Sequence, residues 1–241
     1  MRWPARITSS RSRPRRRSSS ARSERRPSGP PAGPAPPGLA SGSRVRGWES
    51  WHGLAEHGPI GMAVRMKEGI AARMRVVEGD ITRLVVDAIV NAANGRLAPG
   101  GGVCGAIHRA AGSELAAACA AVGGCLTGEA RLTPGFALPA RFVIHAVGPV
   151  WQGGDAGEDG LLAACYRNSL ALAARHGLAT VAFPAISTGI YGFPPERAAP
   201  IAVRAAAEAL AREPGLREVA FCCFGAPSAE LHRRAVTELS A

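Results

Sequence analysis

The amino-acid sequence predicts a three-layer α/β/α sandwich with a mixed, largely parallel sheet. Two observations carry this. From Met74 onward short β-rich runs alternate with amphipathic segments of 12–18 residues, and the strands feed glycine loops rather than tight hairpin turns. A third observation, the distribution of charge, confines the fold to the C-terminal part of the 241 residues.

The elements follow in order. Met74–Glu78 and Asp87–Asn91 read as the first two strands. Gly105–Val122 places Ile107, Ala111, Leu115, Ala118, Cys119 and Val122 at helical spacing and predicts one long helix. Arg141–Val147 reads as a buried strand. Asp159–Arg175 is a second amphipathic helix, with Leu162, Cys165, Tyr166, Ser169, Leu172 and Ala173 on one side. Thr180–Ala185 is a strand running into a Gly/Pro loop, and a helix follows from about Pro195, where proline suits an N-terminus. Pro200 is expected to delay or kink that helix. Glu218–Phe224 is the last strand and Ser228–Leu239 the last helix. Sheets of this kind bind ligands beyond the carboxyl ends of their strands.

Residues 1–73 hold 15 Lys+Arg against 4 Asp+Glu and so carry the whole net charge of +11; residues 74–241 hold 14 of each sign. The predicted fold therefore offers no basic face, and nucleic acid is expected as a partner only through the leader. Positions 1–65 are Arg/Ser/Pro-rich, as in Arg15-Arg16-Arg17-Ser18-Ser19-Ser20. Such a segment cannot bury enough apolar surface to offset its ordering entropy, so it reads as a disordered leader before a domain at 66–241. An organelle transit peptide and a nucleic-acid-binding arm are alternatives for it. The preferred reading is an over-extended start, because Met62, Met66 and Met74 all sit just before the first good strand.

Apolar residues make up 46% of the chain, enough for a proper core. No uncharged apolar run approaches the roughly 18 residues that span a bilayer, so no membrane partner is expected. The six cysteines show no CxxC or disulfide-scaffold spacing, which fits a reducing cytoplasm. No His/Cys/Asp/Glu set has metal-ligand spacing. Neither a metal nor a cofactor is expected.

Three constellations could carry chemistry. The first is Asn91-Ala92-Ala93-Asn94 followed by Pro99-Gly100-Gly101-Gly102-Val103-Cys104-Gly105-Ala106-Ile107-His108. Consecutive glycines between a strand and a helix let backbone N–H groups approach an anion at the positive end of the helix dipole. Gly100, Gly102 and Gly105 also satisfy G-x-G-x-x-G, but residues 92–99 separate the strand from the first glycine, and the dinucleotide fingerprint requires the tight turn directly after the strand. The second is Ser187-Thr188-Gly189-Ile190-Tyr191-Gly192-Phe193-Pro194, again a glycine loop between a strand and a helix. Two such loops at one sheet edge would face each other and clamp a diphosphate. Tyr191 could offer its ring to a sugar or serve as a buried anchor. The third is Gly79-Asp80-Ile81-Thr82, whose Asp80 could accept from an exocyclic amine or act as a helix N-cap.

Together with Ile107-His108-Arg109-Ala110-Ala111-Gly112 and His145-Ala146-Val147-Gly148-Pro149-Val150-Trp151, these motifs have the order and spacing of macro domains. The chain resembles most the MacroD-type group, which includes O-acetyl-ADP-ribose deacetylases and mono-ADP-ribosyl hydrolases. The resemblance covers about residues 74–241. It implies a macro-domain sandwich that binds ADP-ribose or O-acetyl-ADP-ribose and acts on ADP-ribosylated proteins. It also implies roles: Asp80 would receive the adenine amine, Ile81 would add a backbone contact, and Phe224 would stack on adenine. Gly100, Gly101, Gly102 and Val103 would enclose the diphosphate with Ser187, Thr188, Gly189, Ile190 and Tyr191. Asn94 would bond the distal ribose, with Tyr191 packing on it.

One departure bears on catalysis. The hydrolases of this group have an aspartate after Gly-Gly-Gly-Val, and here that position is Cys104. A free thiol titrates near 8.5 and is only about 3% thiolate at pH 7, a poor general base unless its environment depresses that value. Cys104 is either a small space-filling residue or, with His108 one turn along the helix, part of the catalytic set. The expected activity is hydrolysis of an ester on the distal ribose, with Asn94 positioning the sugar. The alternative is a reader that binds ADP-ribose and turns over nothing.

Overall fold

Strands β1 (Met74–Glu78), β2 (Ala88–Ala92), β3 (Ala130–Pro134), β4 (Phe142–Ala146), β5 (Thr180–Phe183) and β6 (Glu218–Cys223) form one sheet in the computed structural model, which describes residues 69–240. The strand order is β1-β6-β5-β2-β4-β3. Every neighbouring pair is parallel except β3 with β4, so the sheet is mixed and largely parallel. The leader at 1–65 and the domain start at 66 lie outside the described residues.

The central strands β2, β4, β5 and β6 are buried on both faces, and their side chains alternate between two apolar layers. Ala88, Val90, Ile144, Ala146, Val181, Phe183, Val219 and Phe221 point to one side, where they pack on α3 (Glu158–Arg175), α4 (Pro195–Arg212) and α5 (Ala226–Ser240). Ile89, Val143, Ala182, Ala220 and Cys222 point to the other, against α1 (Gly102–Ala111), α2 (Ser113–Val122) and a 3-10 turn at Ile81–Arg83. The α/β/α sandwich follows from this two-sided burial. At the amino edge Asp87 accepts from the amides of Ala179 (2.9 Å) and Thr180 (3.0 Å), tying the start of β2 to that of β5.

Three features differ from the sequence reading. The helix expected over Gly105–Val122 begins at Gly102 and is two helices, broken at Gly112 (φ 87°, ψ −179°). That conformation is essentially restricted to glycine. The apolar spacing hides the break, because Ile107, Ala111, Leu115 and Cys119 all enter the same core layer. The edge strand β3 was not foreseen: it carries Arg131 and ends at Pro134, and lacks the continuous apolar run of the central strands. Pro200 lies inside α4, which runs unbroken from Pro195 to Arg212. A proline this close to the start removes one bond of the helical ladder, to the Glu196 carbonyl.

Candidate functional site

Five strands are parallel, so the carboxyl ends of β1, β2, β4, β5 and β6 lie along one edge of the sheet. The glycine loops and Asp80 follow those strand ends.

At the β1–β6 end, the Gly79 amide donates to the Cys223 carbonyl (2.9 Å). Asp80 caps the 3-10 turn, its Oδ1 accepting from the Thr82 amide (2.9 Å) and hydroxyl (2.8 Å). Those bonds, with Arg83 and against desolvation, hold the Asp80 carboxyl below its ordinary range. The capping role is thus realised, and Oδ2, 3.8 Å from Arg83 Nε, remains as an exposed acceptor. Ile81 is buried beneath. Phe224, one residue past β6, is 93% exposed.

After β2 the chain enters a loop that Asn94 staples from within. Its Nδ2 donates to the Ala98 carbonyl (2.7 Å), and its Oδ1 accepts from the amides of Arg96 (3.1 Å) and Ala98 (3.2 Å). One amide hydrogen is left for a ligand. Gly100 and Gly101 then lead into α1, whose N-terminus has neither a side-chain cap nor an acidic residue in its first turn. Its first N–H groups are therefore free to meet an anion. A Cβ on Gly105 would overlap the Gly100 carbonyl oxygen and come within 3.1 Å of Arg109 Nη1. Glycine at 105 is what allows the loop to fold back onto α1.

Cys104 and His108 both point inward. The Cys104 sulfur lies 3.7 Å from the Ala98 carbonyl and 3.7 Å from Asn91 Nδ2, and the residue is buried. His108 is buried with neither ring nitrogen hydrogen-bonded, and burial lowers its pKa. Behind them sits His145, fully buried, with Nδ1 3.1 Å from Asn91 Nδ2 and Nε2 2.9 Å from Thr133 Oγ1. Asn91 Nδ2 can only donate, so Nδ1 accepts and Nε2 carries the hydrogen. Burial, and secondarily His108, pushes the His145 pKa down to about 4.

The second glycine loop leaves β5 through Ser187, a non-glycine residue at φ 65°. Left-handed backbone is uncommon outside glycine and gathers at functional sites. The Ser187 hydroxyl is buried without a partner. Its carbonyl accepts from the Phe193 amide (3.0 Å), closing the loop, and Thr188 Oγ1 donates to the Ala185 carbonyl (3.1 Å). Gly189 and Ile190 are exposed and Tyr191 is half-buried. The two loops meet where the Cβ position of Gly101 comes 3.5 Å from Ile190 Cδ1. Both expected phosphate-cradling segments therefore face each other, with Val103 half-buried at the start of α1.

Buried polar atoms without a partner occur, among the described residues, on Asn91, His108, Ser169 and Ser187. Asn91 and Ser187 lie at the strand end and loop just described, and His108 faces inward from α1 beside them. Also among those residues, no group of three or more His, Cys, Asp or Glu is placed to hold a metal ion, and no helix is long and apolar enough to cross a membrane. The sequence reading passed over Trp151, whose amide donates to the Tyr191 carbonyl (2.8 Å), and its neighbours Arg197, over the indole at 5.2 Å, and Glu158, bonded to the 152–156 turn. Trp151 could have been noticed as the end of a quoted motif; Glu158 carries no local signal.

The doubly covered sheet with two glycine loops at its carboxyl edge defines a three-layer α/β module without a dinucleotide fingerprint. Residues 90–202 match the family model for the macro domain. A macro domain-containing protein of Ralstonia nicotianae is 59% identical over 167 residues, covering 68% of this chain and 95% of that protein. The O-acetyl-ADP-ribose deacetylase of Escherichia coli K12 is 51% identical over 170 residues, covering 69% of this chain and 96% of the enzyme. Among solved structures, a variant macrodomain of Oceanobacillus iheyensis with ADPR superposes with a TM-score of 0.65 at 41% identity, covering 68% of this chain and 91% of that one. A Trypanosoma brucei macrodomain in complex with ADP-ribose gives 0.65 at 42% identity, covering 68% and 69%. The chain belongs to the macro domain family.

Proposed function

We propose that this protein binds ADP-ribose along the carboxyl edge of its sheet and hydrolyses an ester on the distal ribose. The substrate is O-acetyl-ADP-ribose or an ADP-ribosylated carboxylate. The observation that carries the binding reading is the pair of facing glycine loops, one opening on the uncapped N-terminus of α1. Phe224 and Asp80 stand beyond the neighbouring strands, where an adenine could stack and donate its amine. The 51% identical deacetylase supports the choice of reaction.

The residues then divide the work. Gly100–Val103 and Ser187–Tyr191 surround the diphosphate with backbone donors. Asn94, already rigid within its own loop, has one hydrogen left to orient the distal ribose. Water adds to the acyl carbon, the ribose oxygen leaves and takes up a proton, and the products are the carboxylic acid and ADP-ribose. Cys104 has its sulfur turned to the Ala98 carbonyl under the loop, an arrangement that favours a packing role. On this reading the substrate's own phosphate holds the water. That same geometry favours a second reading, in which the protein is a reader without turnover.

Calorimetry and a turnover assay on the full chain test both. ADP-ribose is expected to bind at micromolar Kd or tighter, roughly −8 kcal/mol. Phe224→Ala should weaken it by about 1–3 kcal/mol, the worth of an aromatic stack on a base. It should leave the melting temperature unchanged, because the ring is exposed. No binding by the wild type would end the binding reading, and binding without release of acetate from O-acetyl-ADP-ribose would leave the reader.

A further inference from the structure

Glu158 opens α3 and is buried, and it gathers a turn of the chain around its carboxylate. Oε1 accepts from the amides of Gln152 and Gly154, both at 3.0 Å, and Oε2 accepts from the Ala156 amide at 2.7 Å. The amide of Glu158 itself, then those of Gly154, Gln152 and Ala156, hold the carboxyl below its ordinary range against the opposing effect of burial. Three backbone donors on one carboxylate form a stiff knot, because each bond to a charged acceptor is stronger than a neutral one.

That knot rests on Trp151. A Cβ on Gly154 would lie 2.8 Å from Trp151 Cη2, so the turn is packed against the indole. The Trp151 amide donates to the Tyr191 carbonyl (2.8 Å), and its ring meets Phe193 edge-on with centroids 4.7 Å apart. Arg197 lies over the indole at 5.2 Å and forks onto Asp159, the residue after Glu158, at 2.8 and 2.9 Å. A continuous chain of contacts runs from the Glu158 carboxylate through the 152–156 turn and Trp151 to the backbone of the second glycine loop.

We propose that Glu158 is a positioning residue for ligand binding: its carboxylate holds the 152–156 turn against Trp151, and Trp151 holds the 187–193 loop at the height the ligand requires. The proposal rests on the reading that this loop encloses the diphosphate and distal ribose of ADP-ribose. Glu158 touches no ligand. Its effect falls on the diphosphate half of the site and spares the adenine end at Asp80 and Phe224, which stands on β1 and β6.

The test pairs a readout without ligand and one with it, both on the full chain. Glu158→Gln keeps the shape but turns an NH2 toward amide donors. In the unliganded protein it should speed hydrogen exchange at 152–156 and also at Gly192 and Phe193. ADP-ribose affinity should fall about tenfold, in the range of coupling carried through packed contacts, while AMP, followed by NMR titration, should lose less than about twofold by the same reasoning. A merely structural residue would weaken both ligands alike. Should Glu158→Gln fail to fold, Glu158→Asp keeps the charge, cannot reach all three amides and gives the same readouts. Faster exchange at 152–156 with none at 187–193, or equal losses for AMP and ADP-ribose, overturns the proposal. A wild type that does not bind ADP-ribose would instead overturn the proposed function, with the exchange experiment still reporting on the coupling.

Discussion

Cys104 sits third in α1, where the helix dipole favours a negative charge, and 3.7 Å from the Asn91 amide donor. The Ala98 carbonyl, 3.7 Å away, and the burial of the position oppose a carboxylate there, and the helix N-terminus and the Asn91 donor offset them. Cys104→Asp should therefore be tolerated and should raise turnover of ADP-ribosyl esters with little change in ADP-ribose affinity. General-base assistance contributes roughly 10²–10⁴-fold in adapted sites, and about tenfold is expected where the surroundings were not built for it. Steady-state kinetics on wild type, Cys104→Asp and Cys104→Ala decide the matter. Unchanged rates in the alanine variant mean that the thiol is packing, and a collapse makes it catalytic, with His108 as its neighbour. If none of the three releases product while all bind ADP-ribose, the hydrolase reading fails.

Among the elements, the α1–α2 corner shows how backbone conformation shapes the site. Gly112 breaks one apolar stripe into two helices, each of which packs against the sheet, and its φ of 87° with ψ −179° excludes other residues. Gly112→Ala should cost on the order of 1–3 kcal/mol, the strain of placing a side chain in that region. A denaturant titration should show a lower midpoint with an unchanged slope, as for a loss of stability without change in buried surface. Because α1 carries the first glycine loop, the same variant should also bind ADP-ribose more weakly. Normal stability in Gly112→Ala would mean that the corner adapts and that the break has another cause. The periodicity of Gly105–Val122 was legible in the sequence; the break was not, since glycine at a helix end and glycine inside a helix look alike until the backbone angles are known.

For the whole molecule, the buried polar core behind the loops makes stability depend on pH. His145 is neutral in the folded protein down to about pH 4, whereas the unfolded side chain titrates near 6.5. Between those values the unfolded chain binds more protons, so stability rises with pH across the window and is lost as pH falls from 6.5 toward 4. At about 1.4 kcal/mol per pH unit the loss approaches roughly 3 kcal/mol. Thermal melts between pH 7.5 and 4 should show it, and His145→Gln should flatten that slope. An equal slope in the variant would assign the effect to other groups, such as His108, whose pKa burial also lowers.

From the sequence alone came the alternation of strand and helix, the near-continuous apolar strands, and the glycine loops placed after β2 and β5. These are properties of neighbouring residues along the chain, and hydrophobic periodicity with glycine conformational freedom encodes them locally. The family resemblance supplied the expected roles of Asp80, Phe224 and the loop residues from the same local motifs. Tertiary structure decided what depends on residues far apart in the chain. It paired β3 antiparallel at the edge, a choice a short half-buried strand does not reveal. It turned Cys104 toward Ala98 and stapled Asn94 within its own loop. It also brought the Tyr191 loop to Trp151 and the turn held by Glu158, residues 191, 151 and 158 meeting only because β4 and β5 flank β2 in the sheet and α3 packs across it. Contacts between distant segments are set by packing and by the need to satisfy buried polar groups, and no short window of sequence contains that information.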